Sequence, residues 1–243
     1  MCGYWYNEAS MAEEQTEKAQ VAVYDFDNTS IEGSSPTQLV NRLLLTGKIS
    51  FWTSLKIGFW GLAYKMRLPQ NESWVRGQVF KAFEGQPKEE VDAWLTDFYD
   101  TIIEPRFRPK ADASMQAHVD AGHTVIVVSA SFEPIVLRAM EKHPFTGQVS
   151  TRMVVAPDGT YTRQVDGLPI QGEEKLSAIE HWCDGRFGEG NWELAAAYGD
   201  HHSDAPMLAT SRNPHAVNPN GMLERIAKEK GWPILDWSMK LPK

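Results

Sequence analysis

The run His123-Thr124-Val125-Ile126-Val127-Val128-Ser129 is the strongest constraint on the fold. It is β-branched and nearly all apolar, with no polar alternation. A strand with one face in water alternates apolar and polar residues, because successive side chains point to opposite faces. A strand without alternation needs cover on both faces, and helices flanking a parallel sheet provide it. Shorter runs repeat the theme at residues 21–26 (VAVYDF), 194–199 (LAAAYG) and 215–218 (HAVN). Helical stretches lie between them, at 111–121, 133–142, 173–183, 204–211 and 220–231. Strand and helix alternate, so the expected class is α/β, a doubly wound parallel sheet. Residues 151–166 (TRMVVAPDGTYTRQVD) predict a β-hairpin turning at Pro157-Asp158-Gly159.

One segment departs from this pattern. Residues 33–110 contain no convincing strand and read as helices at 36–46, 50–67, 72–84 and 88–103. Gly47, Pro69 and Gly85-Gln86-Pro87 punctuate them. The segment is also charged differently. It holds eleven Lys and Arg against eight Asp and Glu, whereas the remainder holds 13 against 24. The division that follows is a flexible lead-in at 1–20, a core formed by 21–32 with 111–243, and a helical insert at 33–110.

Composition narrows the function. A net charge of -8 argues against non-specific binding of nucleic acid. Cys2 and Cys183 are the only cysteines, too few for a disulfide framework or a zinc spacing, which fits a reducing cytoplasm. Residues 1–20 lack the basic start and apolar stretch of a signal peptide and read as a polar lead-in. The most apolar stretch, 51–68, is interrupted by Lys56, Lys65 and Arg67, and does not read as a membrane span.

Ligands of parallel α/β sheets bind at the carboxyl ends of the strands. After the first strand, YDFDNTS places Asp25, Asp27 and Thr29 there. After the second, VVSAS places Ser129 and Ser131. After the third, YGDHHSDAPML places Asp200 and Asp204. Lys175, in GEEKLSAI, opens the helix between. Each has an ordinary explanation alone: a turn for YDFDNTS, a helix cap for Ser129 or Asp204, a solvated helix position for Lys175. Together they make a different case. Four carboxylates at one edge repel one another, and a hard divalent cation with oxygen ligands, Mg²⁺, is the natural remedy. The lysine, the hydroxyls and backbone N–H groups then suit a phosphate, and an aspartate so placed suits nucleophilic attack on phosphorus.

DFDNT, VVSAS, Lys175 and GDHHSD resemble the four motifs of the haloacid dehalogenase superfamily, and the helical insert resembles the C1 cap of its phosphoserine-phosphatase-like branch, subfamily IB. PHAVNPNGMLERIAKEKGWPILDW resembles the tail of that branch. The resemblance implies a Mg²⁺-dependent phosphatase acting on a small phosphorylated metabolite through an aspartyl phosphate. Asp25 would be the nucleophile. Asp27 would serve as acid and then base, and its backbone carbonyl would bind Mg²⁺. Ser129 and the Ala130 N–H would hold the phosphoryl oxygens, and Lys175 would neutralise charge. Asp25, Asp27, Asp200 and Asp204 would form the metal site. A phosphotransferase or mutase with the same nucleophile, and a non-catalytic module for phosphorylated ligands, are the alternatives.

The chain departs from that branch in places. Where phosphoserine phosphatases carry a substrate-reading glutamate, the aligned residue is Ser34, and Glu32 stands two positions early. The usual Gly-Gly of the second motif is Ala130-Ser131, and His201-His202 occupy the fourth. Ser34, Ala130 and Ser131 are candidates to line the substrate site. Arg67 and Arg76 are candidates for a second anionic group. Arg106 and Arg108, where the insert rejoins the core, read as structural. Residues 51–68, with Trp52, Phe59 and Trp60, suit the interior of the cap, a homodimer contact or an anionic membrane surface. Monomer and homodimer both remain open.

Overall fold

A computed structural model describes residues 17–49, 52, 79–167, 170 and 172–239. Its centre is a seven-stranded sheet: β1 (Ala19–Asp25), β2 (Thr124–Phe132), β3 (Gly147–Val155), β4 (Tyr161–Asp166), β5 (Trp192–Gly199), β6 (Asn213–Val217) and β7 (Ile234–Leu235). The spatial order is β4-β3-β2-β1-β5-β6-β7. Every neighbouring pair is parallel except β3 and β4, the predicted hairpin. The chain winds outward from β1 through β2 and β3, then returns to the other side of β1 at β5. The crevice between the ends of β1 and β5 is therefore the switch point, where ligands bind in such sheets.

Alternate residues of β1 feed two separate apolar layers. Ala22 and Tyr24 belong to one cluster, Val21 and Val23 to the other, and all four are fully buried. Both faces are covered, as the unbroken apolar run of β2 requires. Helix α1 (Ser35–Leu45) follows β1, and α2 (Lys88–Phe98) precedes a widened turn at Tyr99–Ile103. Then come α3 (Pro109–Asp120), α4 (Glu133–Met140), α5 (Glu173–Phe187), α6 (Ala205–Thr210) and α7 (Gly221–Lys230). The predicted helix over 88–103 is α-helical to Phe98 and continues, widened, through Ile103 ahead of Pro105. The two-residue strand β7 and the part of β3 before residue 151 were not legible in the sequence.

The described part of 33–110 is helical and packs on the sheet. Leu39, Leu43, Phe80, Phe83, Leu95 and Phe98 share one apolar cluster with Tyr24, Phe132 and Tyr161. The Phe132 ring lies 4.9 Å from Phe80 and 6.3 Å from Phe83. Backbone hydrogen bonds from Gly85 N to Tyr161 O (2.9 Å) and from Tyr161 N to Gln86 O (3.0 Å) join the segment to β4. The predicted helix 50–67, apart from Trp52, and most of 72–84, with Arg67, Arg76, Phe59 and Trp60, lie outside the described residues. No helix among the described residues is long and apolar enough to cross a membrane.

Candidate active site

Strand β1 ends at Asp25, whose side chain continues the Val21–Val23 face toward α5. Lys175 stands in the first turn of α5, only 5% exposed. Its Nζ donates to Asp25 Oδ1 at 2.6 Å and to Asp204 Oδ1 at 2.7 Å. The solvated-helix explanation for Lys175 does not hold here. The Ser30 hydroxyl donates to the Asp25 carbonyl at 2.7 Å and fixes the backbone of that residue.

Asp27 lies beyond the strand, in a turn over Phe26–Ser30 that Ile31 N–H closes onto Phe26 O at 3.0 Å. Asn28 there takes a left-handed backbone, φ 59°. Asp27 therefore leaves the period-two register of β1. Its Oδ1 accepts from the backbone N–H of Ser35, and its Oδ2 accepts from the Ser131 hydroxyl at 3.1 Å. The Ser35 and Ser131 hydroxyls also bond to each other.

Ser129 and Ser131 lie within β2, not after it, because the strand runs on to Phe132, which pairs with Thr151. The two serines share a buried face, and Ser129 Oγ accepts from Ser131 N at 3.0 Å. Ala130 between them is exposed, and its carbonyl accepts from the Thr151 hydroxyl at 2.8 Å. Ser34 caps α1, accepting from the Thr37 hydroxyl at 3.2 Å, while its neighbour Ser35 reaches Asp27. Sequence reasoning missed Ser35. The only available signal was its position directly before Pro36, at the start of a helix.

Asp200 follows β5, and the Thr29 hydroxyl faces its Oδ1 at 3.5 Å. Asp204 does not cap α6 with its side chain. Its Oδ2 accepts from His201 N at 3.1 Å and its Oδ1 from Lys175. Gly199 makes this fold-back fit: a Cβ there would meet the Asp204 side chain at 2.7 Å. His201 caps the short turn, its Nδ1 accepting from Ser203 N at 3.3 Å, and His202 Nδ1 faces Asn220 Nδ2 at 3.3 Å. Burial holds the His201 ring below the usual imidazole range.

Asp25, Asp200 and Asp204 present oxygens that all lie within 4.8 Å of one another. One ammonium cannot neutralise three carboxylates. Burial, then Asp204 and Asp27, push Asp25 up to about 7 against the pull of Lys175. Burial, then Asp25 and Asp204, push Asp200 up to about 9. Burial opposes the Lys175 charge, but Asp204 and Asp25 outweigh it and hold the ammonium above its usual range. Burial also raises Asp27, offset by the Ser35 and Ser131 hydrogen bonds. An all-oxygen cluster with unrelieved negative charge suits a hard divalent cation.

Arg108 is 2% exposed at the start of α3 and bonds to the loop that follows Asp27. Burial lowers its pKa, and Glu32 counters that.

The sequence profile of haloacid dehalogenase-like hydrolases matches residues 22–209. The histidinol-phosphatase of Neisseria meningitidis is 28% identical over 232 residues, which cover 89% of this chain and 98% of the relative. A protein of unknown function from Bordetella pertussis has a crystal structure that matches with a TM-score of 0.80 at 22% identity, covering 91% of this chain and all of that one. A substrate-bound phosphoserine phosphatase matches with a TM-score of 0.60 at 18% identity, over 90% of this chain and 93% of that one.

Proposed function

The chain belongs to the haloacid dehalogenase-like hydrolase family, and we propose that it hydrolyses a small phosphomonoester with Mg²⁺ through an aspartyl phosphate on Asp25. The observation that carries this reading is the pair of aspartates in unlike surroundings. Asp25 is held by the Lys175 ammonium, Asp27 by neutral donors. Two carboxyl groups set apart in this way divide nucleophile from acid.

Asp25, Asp200 and Asp204, with the Asp27 carbonyl, would hold Mg²⁺, which supplies positive charge to the phosphoryl oxygens when bound. Asp25 attacks phosphorus, and the bond from phosphorus to the ester oxygen breaks. Asp27, its acid form favoured by burial, gives its proton to that leaving oxygen. As a carboxylate it then takes a proton from water, whose oxygen attacks phosphorus. The bond to Asp25 breaks, and inorganic phosphate leaves. Ser129 and the Ala130 N–H hold the phosphoryl oxygens, and Lys175 stabilises charge between Asp25 and phosphate. Residues 21–32 with 111–243 do this chemistry, and the insert 33–110 chooses the leaving group, with Ser34, Arg67 and Arg76 as its candidate contacts and Ser131 lining the site from the core.

The substrate is a small phosphorylated metabolite. Glu32 accepts from Arg108 at 3.0 Å and from Met239 N at 3.3 Å. A substrate ammonium would therefore have to find another anion. Phosphate release from an aryl phosphate, with and without Mg²⁺, tests the reaction. Mg²⁺-dependent release by the native chain, lowered at least about 10⁴-fold in Asp25→Asn, is expected. Release that survives the substitution would remove Asp25 from its role.

A further inference from the structure

The chain leaves the core and returns to it along two segments that run side by side. Glu32 N donates to Arg106 O at 2.8 Å, Arg108 N donates to Ser30 O at 2.9 Å, and Ile31 bridges Phe107. Arg108 sits at this crossing with its guanidinium buried. Nε donates to Ile31 O at 3.3 Å, and Nη1 to Asn218 Oδ1 at 3.1 Å. Nη2 donates to Asn28 O at 3.1 Å and pairs with Glu32 Oε2 at 3.0 Å. Among the described residues, Asn28 and Asn218 are the two non-glycine positions with left-handed backbone, φ 59° and 43°. Arg108 bonds to both. Asn28 follows Asp27 directly, and Asn218 stands two residues before Asn220, whose N–H donates to Asp200 O at 2.8 Å.

We propose that Arg108 is a positioning residue for catalysis: its planar fork holds the left-handed turn at Asn28 and the Asn218 loop in fixed relation, and so sets the Asp27 backbone against Asp200. The inference rests on the phosphatase reading above. A lysine keeps the charge but has no rigid fork to satisfy acceptors on three sides. Left-handed backbone is unfavourable for residues with a Cβ and free for glycine. The turn at Asn28 therefore needs its tether, and a glycine there would need it less.

Arg108→Lys, Asn28→Gly, Asn28→Ala and the double variant Arg108→Lys/Asn28→Gly, all in the full chain, test this. Melting curves check the fold, and aryl phosphate turnover at saturating Mg²⁺ gives kcat and KM. Arg108→Lys is expected to lose about 10- to 100-fold in kcat with KM changed less than about threefold, as for a displaced catalytic group. Adding Asn28→Gly is expected to recover at least about fivefold of that loss, a rescue that lost packing alone would not show. Native kcat in a folded Arg108→Lys, or a loss that Asn28→Gly leaves untouched, overturns the proposal. Should Arg108→Lys fail to fold, the Asn28 pair decides. A lower kcat in Asn28→Ala than in Asn28→Gly supports the tether, and equal values overturn it. A native chain without turnover would count against the reaction, not against Arg108. Mg²⁺-dependent binding of BeF₃⁻ then reads the loop directly, with at least about tenfold weakening expected in Arg108→Lys and unchanged binding counting against the tether.

Discussion

Asp25 and Asp27 stand two residues apart, yet their surroundings differ in kind. Asp25 faces α5 and a buried ammonium that it shares with Asp204. Asp27 faces the start of α1 and accepts from an N–H and a hydroxyl. A charge partner favours the ionised form strongly and couples the group to every neighbouring carboxylate. Neutral donors hold a carboxyl in place while leaving it free to gain and lose a proton. The residue type is the same, so the neighbours assign the roles.

The largest expected effect falls on the first of these surroundings. Lys175→Met leaves Asp25 and Asp204 buried without their shared cation. Without Mg²⁺ it is expected to cost about 3–5 kcal/mol of stability, read by denaturation in EDTA. Added Mg²⁺ should restore much of this, because it supplies charge to the same carboxylates. A variant as stable as the native chain in EDTA would mean that Lys175 does not neutralise this cluster.

On the proposed reading, protons and Mg²⁺ would compete for the same oxygens, which gives a second test of intermediate size. Asp25 and Asp200 are raised to about 7 and about 9, above the ~4 of an unfolded aspartate. The metal-free fold therefore binds protons that the unfolded chain has lost. Its stability is greatest at low pH in this range and falls as pH rises through about 7 and then about 9. Mg²⁺ requires the ionised forms, so its stabilisation should grow over the same window. The Tm increment at fixed Mg²⁺ should be clearly larger at pH 9 than at pH 6, and an increment independent of pH would place the cation elsewhere.

The smallest effect belongs to the surroundings of Asp27. Ser131→Ala removes one donor to its carboxylate, worth about 1 kcal/mol. Loss of that donor raises the Asp27 pKa, so the acid limb of the kcat profile should move up by about one unit or less. The Mg²⁺ concentration for half-maximal rate should stay the same. A changed Mg²⁺ requirement would show that the two surroundings are not separate.

Much of the fold was legible because it is local and periodic. The non-alternating run at 123–129 implied cover on both faces, and the strand ends implied where Asp25, Asp200 and Asp204 would gather. The short edge strand β7 was not legible, because two residues carry no period. Neither was the extension of β2 through Ser131, which depends on pairing with β3. Ser35 was passed over because Ser34 is the position aligned with the substrate-reading glutamate, and only packing shows which of the two meets Asp27.

The sequence by itself determined the class of sheet, the edge where the candidate site gathers and the types of group present there. Those follow from side-chain period and from the electrostatics of several carboxylates, which need no coordinates. The tertiary structure decided the partnerships: Lys175 with Asp25 and Asp204, Ser35 and Ser131 with Asp27, Arg108 with the turns at Asn28 and Asn218. Such contacts join residues up to 150 positions apart. Their geometry is set by how helices dock on the sheet, and no local pattern of residues encodes that.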